Sequence, residues 1–126
     1  EMNAAIEDVI IAAGGGEDKI WCSVEGAKHP VPVRKVLYVE SVDRGTYVYT
    51  SEGVYKTPCT LQNLEIAYSA KGFFRCSKSM IINIYRISEL RSEPGGRINA
   101  AMENGEHVII SRRYAKELRR ELRGEE

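Results

Sequence analysis

The chain has 126 residues, of which 43% are apolar and 29% charged. This composition excludes a disordered or fibrous protein and supplies enough chain for one domain. Eighteen basic and eighteen acidic residues give a net charge of zero, which excludes a uniformly basic nucleic-acid-binding protein. No apolar run approaches the roughly 18 residues that a membrane-spanning helix needs, so we expect a cytoplasmic protein without a membrane partner.

The first predicted element is a short amphipathic helix over residues 2–13, in which Ile6, Val9 and Ile10 recur at helical spacing. Three glycines, at positions 14–16, would end this helix. We therefore expect residues 1–18 to form an N-terminal helix and glycine linker, and residues 19–126 to form the main domain.

Short strands are predicted along most of the chain between Lys19 and Met102. Residues 20–24 are β-prone, Pro30 and Pro32 interrupt the next stretch, and residues 36–39 are a brief apolar run. The segment 51–53 ends in a glycine and separates two further β-prone runs, which is typical of a hairpin.

The same pattern continues toward the C-terminus. Residues 94–96, Pro-Gly-Gly, separate the runs 87–92 and 97–102, and the second run alternates as a half-buried strand does. Asn104-Gly105 predicts a hairpin with a type I′ turn, in which both residues have positive φ. Residues 107–110 would form its second strand.

Two helices are predicted within the main domain. Thr60 is a candidate N-cap for an apolar segment at residues 61–68. The C-terminal helix would be capped by Ser111, would bury Tyr114, Leu118 and Leu122 along one line, and would end before the glycine at position 124. The predicted class is mainly β, with short helices.

Charge is distributed unevenly along the chain. Residues 1–33 hold six acidic and two basic side chains, whereas residues 71–123 hold twelve basic and six acidic ones. On the C-terminal helix, Arg112 and Lys116 belong to a cationic stripe that continues through Arg119 and Arg123. This stripe is consistent with either a solvated helix face or a phosphate-binding surface.

No motif of a known catalytic chemistry is present. The chain lacks a phosphate-binding G-x-x-x-x-G-K-[ST] loop and a G-x-S-x-G nucleophile elbow. Cys22, Cys59 and Cys76 are too few and too widely spaced for a disulfide framework or a zinc site. We expect reduced thiols, no metal, no cofactor and no enzymatic activity.

The segment 73–83, Phe-Phe-Arg-Cys-Ser-Lys-Ser-Met-Ile-Ile-Asn, places basic and hydroxyl side chains between two apolar anchors. It resembles the motif F-x-R-x-H-[RK]-S-x-x-[VI]-N of the LytTR DNA-binding domain of bacterial transcriptional regulators. Residues 36–40 are similar to the opening block of that family, and residues 109–114 to its closing block. The resemblance extends over about residues 19–123.

The resemblance implies an elongated sandwich of small antiparallel β-sheets, whose loops read bases in the major groove of double-stranded DNA. The implied partner is promoter DNA with direct repeats, bound by a possible homodimer. The implied base-contacting residues are Thr46, Tyr47, Lys78 and Arg113. The implied phosphate-contacting residues are Arg75, Ser77, Ser79, Arg112 and Lys116.

Several alternatives remain open at this stage. Ser77 replaces the usual histidine of the family motif, and together with the neutral charge this is consistent with an interaction module that has lost DNA binding. Tyr47 is also consistent with a half-buried strand residue, Arg113 with an ion pair to Glu117, and Asn83 with a turn-ordering role. Cys76 would be either a small buried group or a thiol with a lowered pKa. A missing upstream domain or a separate sensor protein would supply the signal.

Overall fold

The computed structural model describes residues 18–124. The helix predicted over residues 2–13 and its glycine linker lie outside these residues. The described part of the chain contains ten strands and two α-helices. The strands are β1 (Lys19–Val24), β2 (Ala27–Pro32), β3 (Tyr38–Val42), β4 (Gly45–Thr50), β5 (Gly53–Thr57), β6 (Phe73–Ser77), β7 (Met80–Asn83), β8 (Ile87–Ser92), β9 (Ile98–Met102) and β10 (His107–Ile110), and the helices are α1 (Leu61–Tyr68) and α2 (Arg112–Leu122).

The strands form two antiparallel sheets. The large sheet has the order β2-β1-β5-β4-β3-β7-β6, and the small sheet has the order β10-β9-β8. Every pair of neighbouring strands is antiparallel. The structure therefore confirms a mainly β protein with antiparallel sheets and short helices, one of them C-terminal.

Two hairpins in the large sheet were not predicted. Glu25 and Gly26 both have positive φ between β1 and β2, as a type I′ turn requires. Pro30 and Pro32 lie within β2, and β2 is an edge strand, where a missing N–H costs no ladder hydrogen bond. Asp43 and Arg44 likewise have positive φ, 48° and 69°, between β3 and β4.

The predicted hairpin at Asn104-Gly105 is present, but its predicted turn type is wrong. Gly105 has φ of 89°, whereas Asn104 is not among the residues with positive φ. The amide of Gly105 donates to the carbonyl of Met102 at 2.9 Å, and the amide of Met102 donates to Glu106 at 2.8 Å. These hydrogen bonds define a type I turn followed by a glycine in the left-handed conformation. Only Gly105 takes positive φ, because glycine lacks the Cβ that makes this conformation costly.

The large sheet separates two apolar cores. The first core joins residues such as Ile82 and Phe74 to the small sheet and α2. The second joins residues such as Val39 and Ile81 to α1 and β1. Side chains alternate across a strand, so β3 and β7 contribute to both cores.

The two helices start as predicted, with differences in detail. The hydroxyl of Thr60 accepts the amide of Asn63 at 3.1 Å and so caps α1. Ser111 occupies the N-cap position of α2 without a side-chain cap hydrogen bond. Leu118 is fully buried and Tyr114 is half-buried, but Leu122 is 54% exposed because α2 extends beyond the core.

Helix α2 is the longer of the two, with 11 residues. No helix among residues 18–124 has the length and apolar character that crossing a bilayer requires.

Candidate nucleic-acid interface

The basic motif forms a tight hairpin turn between β6 and β7. Phe73, Phe74 and Ile82 are buried on the two strands, whereas Lys78 and Ser79 are exposed at the turn. The apolar anchors therefore fix the strands and present the basic segment at the surface, as the sequence predicts. The side chain of Lys78 has no hydrogen bond or ion pair with the other residues of 18–124.

The side chain of Arg75 stabilises this turn by donating hydrogen bonds to its main-chain carbonyls. Its Nε donates to the carbonyl of Ser77 at 2.9 Å and its Nη2 donates to the carbonyl of Lys78 at 2.6 Å. Its Nη1 lies 3.0 Å from a carboxylate oxygen of Glu65 on α1. A guanidinium has five N–H donors, so two remain for another acceptor.

A β-bulge at Cys76 joins the turn to α2. The register of β6 against β7 shifts between Arg75 and Ser77, which leaves Cys76 without a partner on β7. The carbonyl of Cys76 instead accepts the amide of Ser111 at 3.1 Å. The start of α2 is thereby fixed beside the basic turn.

The β3–β4 hairpin lies on the other side of the same turn. The amide of Ser41 on β3 donates to the carbonyl of Ser79 at 2.8 Å. Thr46 is the register partner of Ser41 on β4, so Thr46 lies one strand farther from the turn than Ser41. The exposed Arg44 at the tip of this hairpin adds a cation that was not predicted, although the segment Asp-Arg-Gly between two strands is a turn signal.

Tyr47 is a half-buried strand residue, as one of the two sequence interpretations proposed. Its ring lies against Gly45, where an added Cβ would approach the ring to 2.9 Å. Thr46 and Tyr47 are successive strand residues and point to opposite faces of the large sheet. The two side chains therefore do not form one contact surface.

The first residues of α2 present two exposed arginines. The guanidinium of Arg113 lies 5.5 Å from the ring centroid of Tyr114, and no ion pair within residues 18–124 joins it to Glu117. The stem of Arg112 packs on Gly96, where a Cβ would meet its Cγ at 2.9 Å. Gly96 also has φ of 86°, so the β8–β9 turn approaches the helix because this residue is glycine.

The side of α2 away from the cationic stripe of Arg112, Lys116, Arg119 and Arg123 carries its acidic residues. Glu117 and Glu121 line a cleft of about 240 Å³ between α2 and α1, which Glu65 and Arg75 also line. Arg112, Lys116 and their neighbours on the cationic stripe do not line this cleft. The helix thus separates its cationic stripe from a cleft that is lined by three glutamates and by Arg75 of the basic turn.

Cys76 is a small buried group. It is 0% exposed, and its Sγ lies 3.5 Å from the carbonyl of Met80. Burial raises the pKa of the Cys76 thiol to about 12, and this effect exceeds the lowering by the nearby Arg75 charge. The alternative of a lowered pKa is therefore wrong.

We expect Cys76 to react with a maleimide or a disulfide reagent at pH 8 at least about 100-fold more slowly than Cys59, because the thiolate is the nucleophile. Cys59 is only partly buried. Mass spectrometry of the labelled chain measures the order of modification, and a Cys59→Ser variant should show no fast phase. Equal labelling rates at the two cysteines would contradict the expectation.

Comparisons with known proteins identify the family to which this fold and motif belong. A family model described as the LytTr DNA-binding domain matches residues 26–123. The chain belongs to this family. A solved LytTr DNA-binding domain, from a Bacillus cereus protein described as a methyl-accepting/DNA response regulator, superposes with a TM-score of 0.78 at 31% identity. The match covers 86% of this chain and 99% of that domain.

The curated relatives that match this chain are longer proteins, and the match covers part of each. The sensory transduction protein LytT of Bacillus cereus is 37% identical over 105 residues, which cover 83% of this chain and 43% of the relative. The transcriptional regulatory protein BtsR of Salmonella typhi is 35% identical over 101 residues, which cover 79% and 41%. The chain thus spans less than half the length of these relatives.

Proposed function

We propose that this LytTr domain is the DNA-binding part of a transcriptional regulator and reads double-stranded DNA in the major groove. One observation carries the proposal. Hydrogen bonds from Ser41 to Ser79 and from Ser111 to Cys76 hold the β3–β4 hairpin, the basic turn and the start of α2 side by side. These two turns and the helix start, each with exposed cations, then form one continuous edge, which suits the alternating grooves and phosphates of a duplex.

Two kinds of contact are proposed within this edge. Lys78 is exposed on the β6–β7 turn and Arg113 is exposed in the first turn of α2, and both have the donors that guanine O6 and N7 accept. We assign base contacts to them and, as two separate contacts from opposite faces of β4, to Thr46 and Tyr47. Phosphate contacts are assigned to Arg75, Ser77, Ser79, Arg112 and Lys116, with Arg44 as an addition from the structure.

The phosphate role of Arg75 and Ser77 is combined with a role in the turn. Arg75 retains two N–H donors after bracing the turn. The hydroxyl oxygen of Ser77 accepts the amide of Ser79 at 3.3 Å, which leaves the hydroxyl hydrogen free to donate to a phosphate oxygen. Binding would therefore use a turn that is already ordered.

The wider biological setting is also part of the proposal. LytT and BtsR are named as a sensory transduction protein and a transcriptional regulatory protein, and we infer a similar regulatory role for this chain in the cytoplasm. Residues 1–18 would link the domain at 19–126 to an upstream domain or to contacts with a separate sensor. Two copies would occupy direct repeats in a promoter.

Electrophoretic mobility shift tests the proposal. A binding site selected from a random duplex library is compared with the RNA duplex of the same sequence and with single-stranded DNA. We expect retention of the DNA duplex at the lowest protein concentration. Absence of binding to every nucleic acid would instead favour the interaction module that has lost DNA binding.

We expect the affinity for duplex DNA to fall steeply with salt. If about six cations contact phosphates, log affinity against log salt should have a slope of about −5. Fluorescence anisotropy at several KCl concentrations measures this slope. Lys28→Ala is the control, because Lys28 lies on β2, the strand farthest from β6 in the sheet order. A wild-type slope near zero would contradict the expectation, and so would a slope that becomes shallower in the Lys28→Ala variant.

A further inference from the structure

Strand β8 is an open edge of the small sheet. It pairs with β9 on one side and with no strand of residues 18–124 on the other. Residues 88–92 are all exposed. An exposed edge strand of this length is a template for pairing with another strand.

The outward-facing main-chain groups of β8 follow from its register. The amide of Glu93 donates to the carbonyl of Arg97 at 2.9 Å, so these two residues form a hydrogen-bonded pair. Such pairs alternate along an antiparallel ladder, and the pair Arg91 and Asn99 is the next of this type. The N–H and C=O of Ser92, which lies between Glu93 and Arg91, therefore point away from β9, and by the same alternation so do those of Leu90, on the other side of Arg91.

The sequence of β8 is self-complementary about Leu90. Residues 88–92 read Ser-Glu-Leu-Arg-Ser. If an identical strand pairs antiparallel with Leu90 opposite Leu90, each Glu89 faces the Arg91 of the second copy. At both ends of the paired segment Ser92 then lies opposite Ser88, the residue at which a β-bulge interrupts the register of β8 with β9.

We propose that β8 is a self-pairing edge, through which two copies of this chain join their small sheets into one six-stranded sheet. Leu90 is 37% exposed, and its register partner Ala100 is fully buried. A second Leu90 beside it would cover apolar surface that the single chain leaves open to water.

The charges on β8 select this one register. Glu89 and Arg91 form an ion pair at 2.7 Å within one strand, with side chains 58% and 71% exposed. In the proposed pair, four charges of alternating sign lie on the outer face. Shifting the strands by two residues places Glu89 opposite Glu89 or Arg91 opposite Arg91, and like charges directly opposite destabilise a sheet.

This association is distinct from the occupation of neighbouring DNA repeats. Antiparallel pairing places the two β8–β9 turns at opposite ends of the joined sheet. Because Gly96 in that turn contacts Arg112, the two candidate DNA edges would also lie at opposite ends. The inference stands without the proposed function, since it concerns the free protein.

Sedimentation equilibrium of the full 126-residue chain, without DNA, tests the self-pairing edge. The wild-type chain is expected to show a monomer–dimer equilibrium between low micromolar and about 1 mM protein. Glu89→Arg and Arg91→Glu should each weaken the dimer about tenfold or more, because each places like charges opposite. Circular dichroism confirms that each variant is folded.

Mixing the two single variants tests whether Glu89 of one copy pairs with Arg91 of the other. The Glu89→Arg chain and the Arg91→Glu chain have opposite charges on β8, so an equimolar mixture should form a heterodimer as strong as the wild-type dimer. The double variant Glu89→Arg/Arg91→Glu should dimerise with itself. Glu52→Arg, in an exposed turn of the large sheet, should leave the dimer unchanged. A wild-type chain that is monomeric throughout, or single variants that dimerise like the wild type, would overturn the proposal.

Discussion

Replacing Lys78 or Arg113 with alanine is expected to weaken binding to a selected DNA site by about 5- to 100-fold, while binding to random DNA changes much less. The expectation follows from their exposed positions, Lys78 on the β6–β7 turn and Arg113 in the first turn of α2. A good bidentate contact to a base is worth about 1 to 3 kcal/mol of discrimination. Each variant should also relax the preference at particular base pairs, because the removed side chain would no longer distinguish them.

Arg112→Ala and Lys116→Ala are the matched controls for this prediction. Both residues are exposed on α2 beside Arg113, so the controls remove the same type of charge from the same surface. We expect them to weaken selected and random DNA about equally and to lower the salt slope by about one unit. Competition titrations at one fixed salt concentration measure both effects.

The assignment of base and phosphate contacts depends on the contrast between these two pairs of variants. If all four lose selected and random affinity in the same proportion, Lys78 and Arg113 act through charge alone. A uniform loss would contradict only the assignment of base contacts. The proposal that the domain binds DNA is tested separately by the mobility shift assay.

Asn83→Ala is expected to lower the free energy of unfolding by about 2 to 4 kcal/mol. Asn83 is only 1% exposed. Its Nδ2 donates to the carbonyl of Val36 at 2.8 Å, and its Oδ1 accepts the amide of Tyr85 at 3.1 Å. Alanine leaves the buried Val36 carbonyl unpaired, at about 1 to 3 kcal/mol, and removes a cap worth about 1 kcal/mol.

Urea unfolding followed by circular dichroism measures this loss. Asn63→Ala is the control, because Asn63 is exposed on α1 and its replacement should change stability by less than about 0.5 kcal/mol. Asn83→Asp keeps the acceptor and replaces the donor with an oxygen beside Val36, so it should destabilise at least as much as alanine. A stable Asn83→Asp chain would show that the donor is not required.

The motif that ends at Asn83 shows what the sequence can predict. Apolar anchors on both sides of basic residues predict a surface loop held by a core, and the turn between β6 and β7 has this form. The hairpins at residues 51–53 and 94–96 were predicted for the same reason, since glycine and proline mark turns locally. These signals depend on neighbours in the sequence.

Contacts between distant residues could not be predicted in this way. Arg75 is bound by Glu65, ten residues earlier, and a charge count does not show whether a cation is already paired. The bulge that releases the Cys76 carbonyl to Ser111 is also absent from any local pattern. Strand β2 was missed because its prolines indicate an interruption, and only the sheet order shows that it is an edge.

The burial of β3 and β7 on both faces has a consequence for motion. Val39 and Ile81 face one core, and Tyr38 and Ile82 face the other. Amides in such strands open only in near-global unfolding, so they should show the slowest hydrogen exchange of the domain. The basic turn extends directly from β7 and is hydrogen-bonded to β3. A turn held at its base by the least dynamic strands needs little ordering when it meets a partner, and association should therefore be fast and limited mainly by encounter.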